Sequence, residues 1–167
     1  MTDPSDALSL FQKALDAGQI PLQRGIVDKE IFLAPDEVNG HLRLSYLRLR
    51  NKTIIALVQF VALEPLNGAL YFQLGYAVPE QFRGRGIAKQ ATQAALAEMV
   101  LGFERAGIHD FFVEAIVGSN NIASQKLAAT LFAKTPEAFT DSVSGKPALR
   151  YLSRLGRSNS RARNWNS

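Results

Sequence analysis

Apolar positions along the chain recur first with a helical period and then switch to alternation. In the run Asp6 to Ala17, Leu8, Phe11 and Leu15 stand at helical spacing ahead of Gly18, which predicts a helix with one apolar stripe and a glycine stop. From Ile20 to Asn39 the pattern is broken by Pro21, Gly25 and Pro35, and Val27 to Leu33 suits a short helix or a strand equally. Beyond His41, Leu42, Leu44, Tyr46 or Leu47, and Leu49 are set against Arg43, Ser45, Arg48 and Arg50, an alternation that predicts a strand. Asn51 and Lys52 make a turn. Thr53 to Leu63 is rich enough in β-branched and apolar residues to be a mostly buried strand antiparallel to the last. Pro65 to Gly68 contains Asn67-Gly68, a pair that favours hairpins, and Ala69 to Val78 reads as a third strand interrupted by Gly75.

The helical period returns from Ile87 to Arg105, with Ile87, Ala91, Ala94, Ala95, Met99 and Val100 along one side and Gly107 as the stop. Its alanines suit close packing on a sheet. Asp110 to Val117 predicts a fourth strand, Gly118 to Asn121 opens a helix running to about Phe132, and Phe139 to Val143 and Ala148 to Leu155 predict two late strands around a loop at Ser144 to Pro147. There are no internal repeats, and no linker divides the body. This order predicts an α+β domain with a mixed sheet, in which the unit Ala69 to Val117 makes its two strands parallel through a right-handed crossover.

Composition narrows this picture little and excludes more. At 167 residues, 47% hydrophobic and 20% charged, the chain suits one globular domain with a substantial core. The absence of cysteine removes disulfides, thiolate nucleophiles and cysteine zinc sites, and fits a reducing compartment. The longest apolar run, Thr53 to Leu63, is too short to span a membrane, and Met1 to Asp6 has no targeting character, so a cytoplasmic protein is expected. The net charge of +4 is matched by Arg154, Arg157, Arg161 and Arg163 alone. The expected division is therefore a body at residues 1–153 and a basic, flexible tail at 154–167. With the body near neutral, a nucleic-acid partner is not expected, although the tail could tether the protein to something acidic.

Candidate chemistry concentrates in Val78 to Ala88, V-P-E-Q-F-R-G-R-G-I-A. Its glycines fall where a strand turns into a helix. The N–H groups of a first helical turn have no intrahelical partner and the macrodipole favours negative charge there, so an anion such as a phosphate belongs at this point. Gly84 and Gly86 leave the main chain approachable, while Arg83 and Arg85 add positive charge. A dinucleotide fingerprint fails because Lys89 stands where its third glycine or alanine belongs, and a Walker-type loop fails for want of Gly-Lys-Ser/Thr. The catalytic and metal-binding motifs that accompany a kinase glycine loop are absent downstream.

The hexapeptide Gln81-Phe82-Arg83-Gly84-Arg85-Gly86 resembles the Gln/Arg-x-x-Gly-x-Gly/Ala signature of the GNAT superfamily of N-acetyltransferases. Leu74-Gly75-Tyr76 with Pro79-Glu80, and Asn121-x-x-Ser124, resemble the flanking motifs of its branch of ribosomal-protein N-terminal (Rim-type) acetyltransferases, in the right order from about Leu42 to Phe132. The resemblance implies a largely antiparallel sheet of about six or seven strands, flanked by about four helices and splayed between the strands ending at Val78 and Val117. It implies acetyl-coenzyme A in that gap, with no metal. The amides of Arg83, Gly84, Arg85, Gly86, Ile87 and Ala88 would hold the pyrophosphate, and the main chain at Tyr76, Ala77 and Val78 would pair with pantetheine.

Acetyl transfer needs a neutral amine, a stabilised oxyanion and a proton for the thiolate. The family's oxyanion position falls at Val78, since Pro79 has no N–H. Ser124 resembles the residue that meets the coenzyme sulfur, with helix capping or solvation as the alternative. Asn121 is a helix N-cap, a pantetheine partner, or both. Lys126 reaches a phosphate or is solvated, and Glu114 is a base acting through water or a surface charge. Tyr76 is a wall residue or a catalyst. His41 and His109 have no metal-like spacing. Two departures stand out: Gln73 replaces an acidic residue common in relatives, and Ala129 to Ala133 lacks the glycine that usually closes that helix. Deprotonating a lysine at pH 7 costs roughly 4.6 kcal/mol against about 1 for an α-amine, so a site without an evident strong base suits an α-amine or another low-pKa amine. The expected function is transfer of an acetyl group to a primary amine. The alternative is an acyl-coenzyme A binding or sensing module without turnover. The acceptor and the oligomeric state stay open, a homodimer among the options.

Overall fold

The computed structural model describes residues 4–132 and 135–156. Helix α1 (Pro4–Asp16) precedes strands β1 (Gln23–Arg24), β2 (Ile31–Val38), β3 (His41–Arg50), β4 (Thr53–Leu66) and β5 (Ala69–Ala77). A single 3-10 turn (Glu80–Phe82) leads to α2 (Ile87–Arg105), β6 (Asp110–Gly118), α3 (Ile122–Leu131), β7 (Glu137–Thr140) and β8 (Pro147–Gly156). The eight strands form one sheet in the order β1-β2-β3-β4-β5-β6-β8-β7. Every neighbouring pair is antiparallel except β5 and β6, the parallel pair expected from the crossover through α2.

Three tight turns set the register of the meander. Asn39-Gly40, Asn51-Lys52 and Asn67-Gly68 all have positive φ at both positions, the condition for two-residue hairpins whose twist matches that of the strands. The segment that broke the sequence pattern is thus resolved as a strand: β2 pairs with β3 from Ile31↔Arg48 to Val38↔His41. Pro35 is tolerated because β1 covers β2 only at Phe32 and Leu33, leaving an edge where a missing N–H costs no outer ladder bond. The early residues of the ambiguous run are held otherwise. The Glu98 carboxylate of α2 accepts the N–H groups of Val27 at 2.6 Å and Asp28 at 2.9 Å.

The sheet buries both faces. On one, α2 and α3 cover a core that includes Phe60, Phe72, Leu96, Phe111 and Val113, with Ala91 and Ala95 fully enclosed so that α2 lies close to the strands. On the other, α1 sets Leu8, Phe11 and Leu15 on Ala34, Leu47 and Leu57. Eight strands rather than six or seven, and three helices rather than about four among the described residues, follow from counting the two-residue β1 and from the extended course of residues 20–38. β7 lies earlier than expected, and β8 continues to Gly156, so Arg154 is a strand residue, bonded to Asp110 at 2.7 Å. The rest of the expected tail, with Arg157, Arg161 and Arg163, lies outside the described residues, as does Ala133.

Candidate active site

The loop that follows β5 is shaped by its own residues. Arg83, though exposed, donates its Nε to the Val78 carbonyl at 3.0 Å, closing the turn. Gly84 (φ +72) and Gly86 (φ +73) both take the left-handed conformation, and a Cβ on either would meet nothing within 4 Å. The glycines are thus required by backbone geometry, and the space above them is open. Gly86 caps α2 with no side-chain hydrogen bond, which leaves the first-turn amides without a side-chain partner. Above them is a cavity of about 540 Å³ whose walls include Tyr76, Ala77, Val78, Arg83, Gly84, Gly86, Ile87 and Ala88, with Asn121 and Ser124 opposite. Every residue expected to hold the coenzyme lines it except Arg85, which is exposed beside it.

The gap itself comes from the strand pairing. β5 and β6 pair from Leu70↔Phe111 to Leu74↔Ala115 and no further, although the strands run on to Ala77 and Gly118. The sheet splays there. A second cavity, of about 660 Å³, occupies the opening, between Gln73 to Tyr76 and Ala115 to Gly118, and is overhung by Phe139, Asp141, Ser142 and Val143. Tyr76, Asn121, Ser124 and Leu127 line both cavities, which therefore form one groove through the V.

At the junction the Tyr76 and Ser124 hydroxyls lie 2.5 Å apart. Burial raises the Tyr76 phenol above its ordinary value, and the Ser124 hydrogen bond works in the opposite direction. The Asn121 side chain accepts the Ser124 backbone N–H at 3.1 Å, so the N-cap that starts α3 also anchors the main chain that carries Ser124. Both alternatives for Asn121 remain compatible, since the capping residue also lines the groove. Nothing local in the sequence announces the Tyr76–Ser124 contact between residues 48 positions apart.

Glu114 is placed differently. It is 4% exposed, lines neither cavity, and accepts the Tyr71 hydroxyl. The alternation of β6 puts Val113 and Ala115 in the core under α2 and turns Glu114 to the other face, in register with Gln73. Gln73, not Glu114, reaches the cavity wall. Among the lining residues of the larger cavity Asp141 is the one carboxylate, a residue the sequence reading placed in the strand Phe139 to Val143 without assigning it a role. Its side chain accepts from Ser144 and from the Val143 and Ser144 amides, which hold its pKa below the ordinary value. Lys126, His41 and His109 are exposed and line neither cavity.

Three phenols are raised: Tyr46 by burial and then the Glu98 charge, Tyr71 by burial and its Glu114 partner, and Tyr76 by burial. A raised folded-state pKa contributes stability that is full below the unfolded value of about 10 and is lost as pH rises through the folded value. Denaturant midpoints are thus expected to fall as pH climbs above about 10, and a Tyr46→Phe variant to flatten that fall. A midpoint unchanged to pH 11 would contradict it.

A family model described as "Acetyltransferase (GNAT) domain" matches residues 13–131. No curated protein sequence matches the chain. Among solved structures, an acetyltransferase of the GNAT family from Streptococcus pneumoniae is 12% identical with a TM-score of 0.52, over 68% of this chain and 67% of that one, a likeness of fold. The ribosomal L7/L12 alpha-N-protein acetyltransferase RimL in complex with coenzyme A is 26% identical with a TM-score of 0.48, over 66% of this chain and 61% of that one. Mycobacterium smegmatis RimJ in complex with CoA-disulfide is 18% identical with a TM-score of 0.48, over 70% and 54%.

Proposed function

The chain belongs to the GNAT acetyltransferase family, and from that premise we propose that it moves an acetyl group from acetyl-coenzyme A to a primary amine by direct attack on the thioester. The observation that carries this reading is the meeting of two cavities at one hydroxyl pair, Tyr76 and Ser124. Coenzyme would enter over Gly84 and Gly86, its pyrophosphate on the α2 amides and its pantetheine along Tyr76 to Val78. The acceptor would enter from the larger cavity. The amine nitrogen attacks the thioester carbon, and main chain at Val78 receives the developing oxyanion. As the carbon–sulfur bond breaks, the departing thiolate takes its proton from the Tyr76–Ser124 pair. The amine proton passes to water in the groove. Glu114 enters as a buried charge held by Tyr71 behind the Gln73 wall, reached through water if it acts as the base.

With no carboxylate but Asp141 on the wall, this arrangement favours an amine that is already partly neutral, such as a protein or peptide α-amine. Asp141 then orients a second cationic group on the acceptor. A site without cysteine, using acetyl-coenzyme A, suits a cytoplasmic protein. The second reading, an acyl-coenzyme A binding module without turnover, is favoured by Gln73 at the wall and by the engagement of Glu114 with Tyr71.

Calorimetry with acetyl-coenzyme A and a thiol-release assay over an amine panel separate the two. Binding with release of thiol supports transfer, binding without release supports the module, and no binding defeats both. Asp141→Asn is expected to raise KM about two- to threefold for acceptors carrying a second cation and to leave neutral monoamines unchanged, because solvent screens an exposed ion pair. Equal effects on both classes would remove Asp141 from acceptor recognition.

A further inference from the structure

A third cavity, of about 310 Å³, lies away from the groove and shares no lining residue with it. It is enclosed by the C-terminal half of α2, strands β2 and β3, and the loop that Glu98 ties down at Val27 and Asp28. Its walls are apolar at Ile31, Leu33, Leu44, Met99 and Phe103. Its polar lining comprises Gln23, Arg24 and Arg105 together with Tyr46 and Glu98. Tyr46 is 3% exposed, yet its hydroxyl has no hydrogen-bond partner among the described residues. Since no side-chain oxygen there is both sealed from solvent and unpartnered, this hydroxyl opens onto the cavity that Tyr46 lines. The Glu98 carboxylate lines the same cavity and is close enough to raise the Tyr46 phenol by its charge, but the two do not bond directly.

A hydroxyl and a carboxylate that line one cavity without bonding each other offer a bound polar group both a donor and an acceptor. Gly102 adds a second observation. It sits in the last turns of α2, where a Cβ would meet nothing within 4 Å, so packing does not demand glycine. Alanine is the better helix former there, and the effect of the glycine is to keep this wall open.

We propose that this cavity is a binding site for a small amphiphilic molecule, an aliphatic or aryl body with one hydrogen-bond-donating head. The body rests on Leu44, Met99 and Phe103. The head donates to Glu98 and accepts from the Tyr46 hydroxyl, which burial keeps protonated. The Glu98 oxygen that holds the 25–28 loop is the same one that accepts both amides, so the second oxygen serves the ligand.

The test uses the full chain, with benzyl alcohol as the probe and toluene as its hydroxyl-free counterpart, followed by amide chemical shifts. Benzyl alcohol is expected to saturate in the millimolar range, with shifts clustered at Leu44, Tyr46 and Gly102, and to bind about tenfold tighter than toluene. Tyr46→Phe should erase that preference while leaving stability at neutral pH unchanged, because the hydroxyl has no protein partner to lose. Gly102→Leu should block both probes. Non-saturating shifts scattered over the surface, a cavity holding water only, or a preference that survives Tyr46→Phe would overturn the proposal. None of these readouts depends on acetyl transfer.

Discussion

Gly86→Val is expected to abolish coenzyme A binding in calorimetry, a loss of at least 100-fold, while the variant still melts cooperatively. Gly84→Val should behave alike. The argument rests on two separate facts about these positions. First, both have φ near +72°, where a side chain with a Cβ pushes against the backbone at a cost of about 1–2 kcal/mol. Against a domain stability of about 5–15 kcal/mol this leaves the fold in place. Second, the space a new side chain would enter is empty of protein and lies over the uncapped amides at the start of α2. An anion needs that space and those donors at once, so a valine there costs little structure and most of the affinity. Wild-type affinity in both variants would remove the loop from the coenzyme site.

Tyr76→Phe is expected to lower kcat about 100-fold with KM for acetyl-coenzyme A nearly unchanged, in line with the usual contribution of a positioned general acid. Ser124→Ala should do the same. Because the two hydroxyls share one hydrogen bond, the double variant should be no slower than the worse single, the sign of residues acting as a unit. The raised Tyr76 phenol also sets the pH behaviour. It stays protonated through the neutral and mildly alkaline range, so kcat should not fall below about pH 10 through loss of this proton. A kcat within threefold of wild type in both single variants, or fully multiplicative losses, would exclude the pair as the proton source.

Much of the framework is legible residue by residue because the signals are local. The period of Ile87 to Arg105 and its glycine stop define α2 as it is observed, and the alternation after His41 defines β3. Asn67-Gly68 defines a hairpin by its own dihedral preference. The segment from Ile20 to Asn39 was ambiguous for the converse reason. Pro35 argues against a strand until one knows that it lies on an edge, and that depends on the partner strand, not on proline.

The same division holds at the site. The sequence determined a glycine turn between a strand and a helix, since that is a property of consecutive residues, and it offered Asn121 as the cap of the helix carrying Ser124, which it is. Only the tertiary structure decided the rest. It joined Glu114 to Tyr71, brought the Tyr76 hydroxyl to Ser124, and set Asp141 over the cavity. The Tyr76–Ser124 pair and Asp141 lie along the gap that opens where β5 and β6 stop pairing, after Leu74 and Ala115. Where a parallel ladder ends depends on residues far apart in the chain, so no short stretch of sequence contains it.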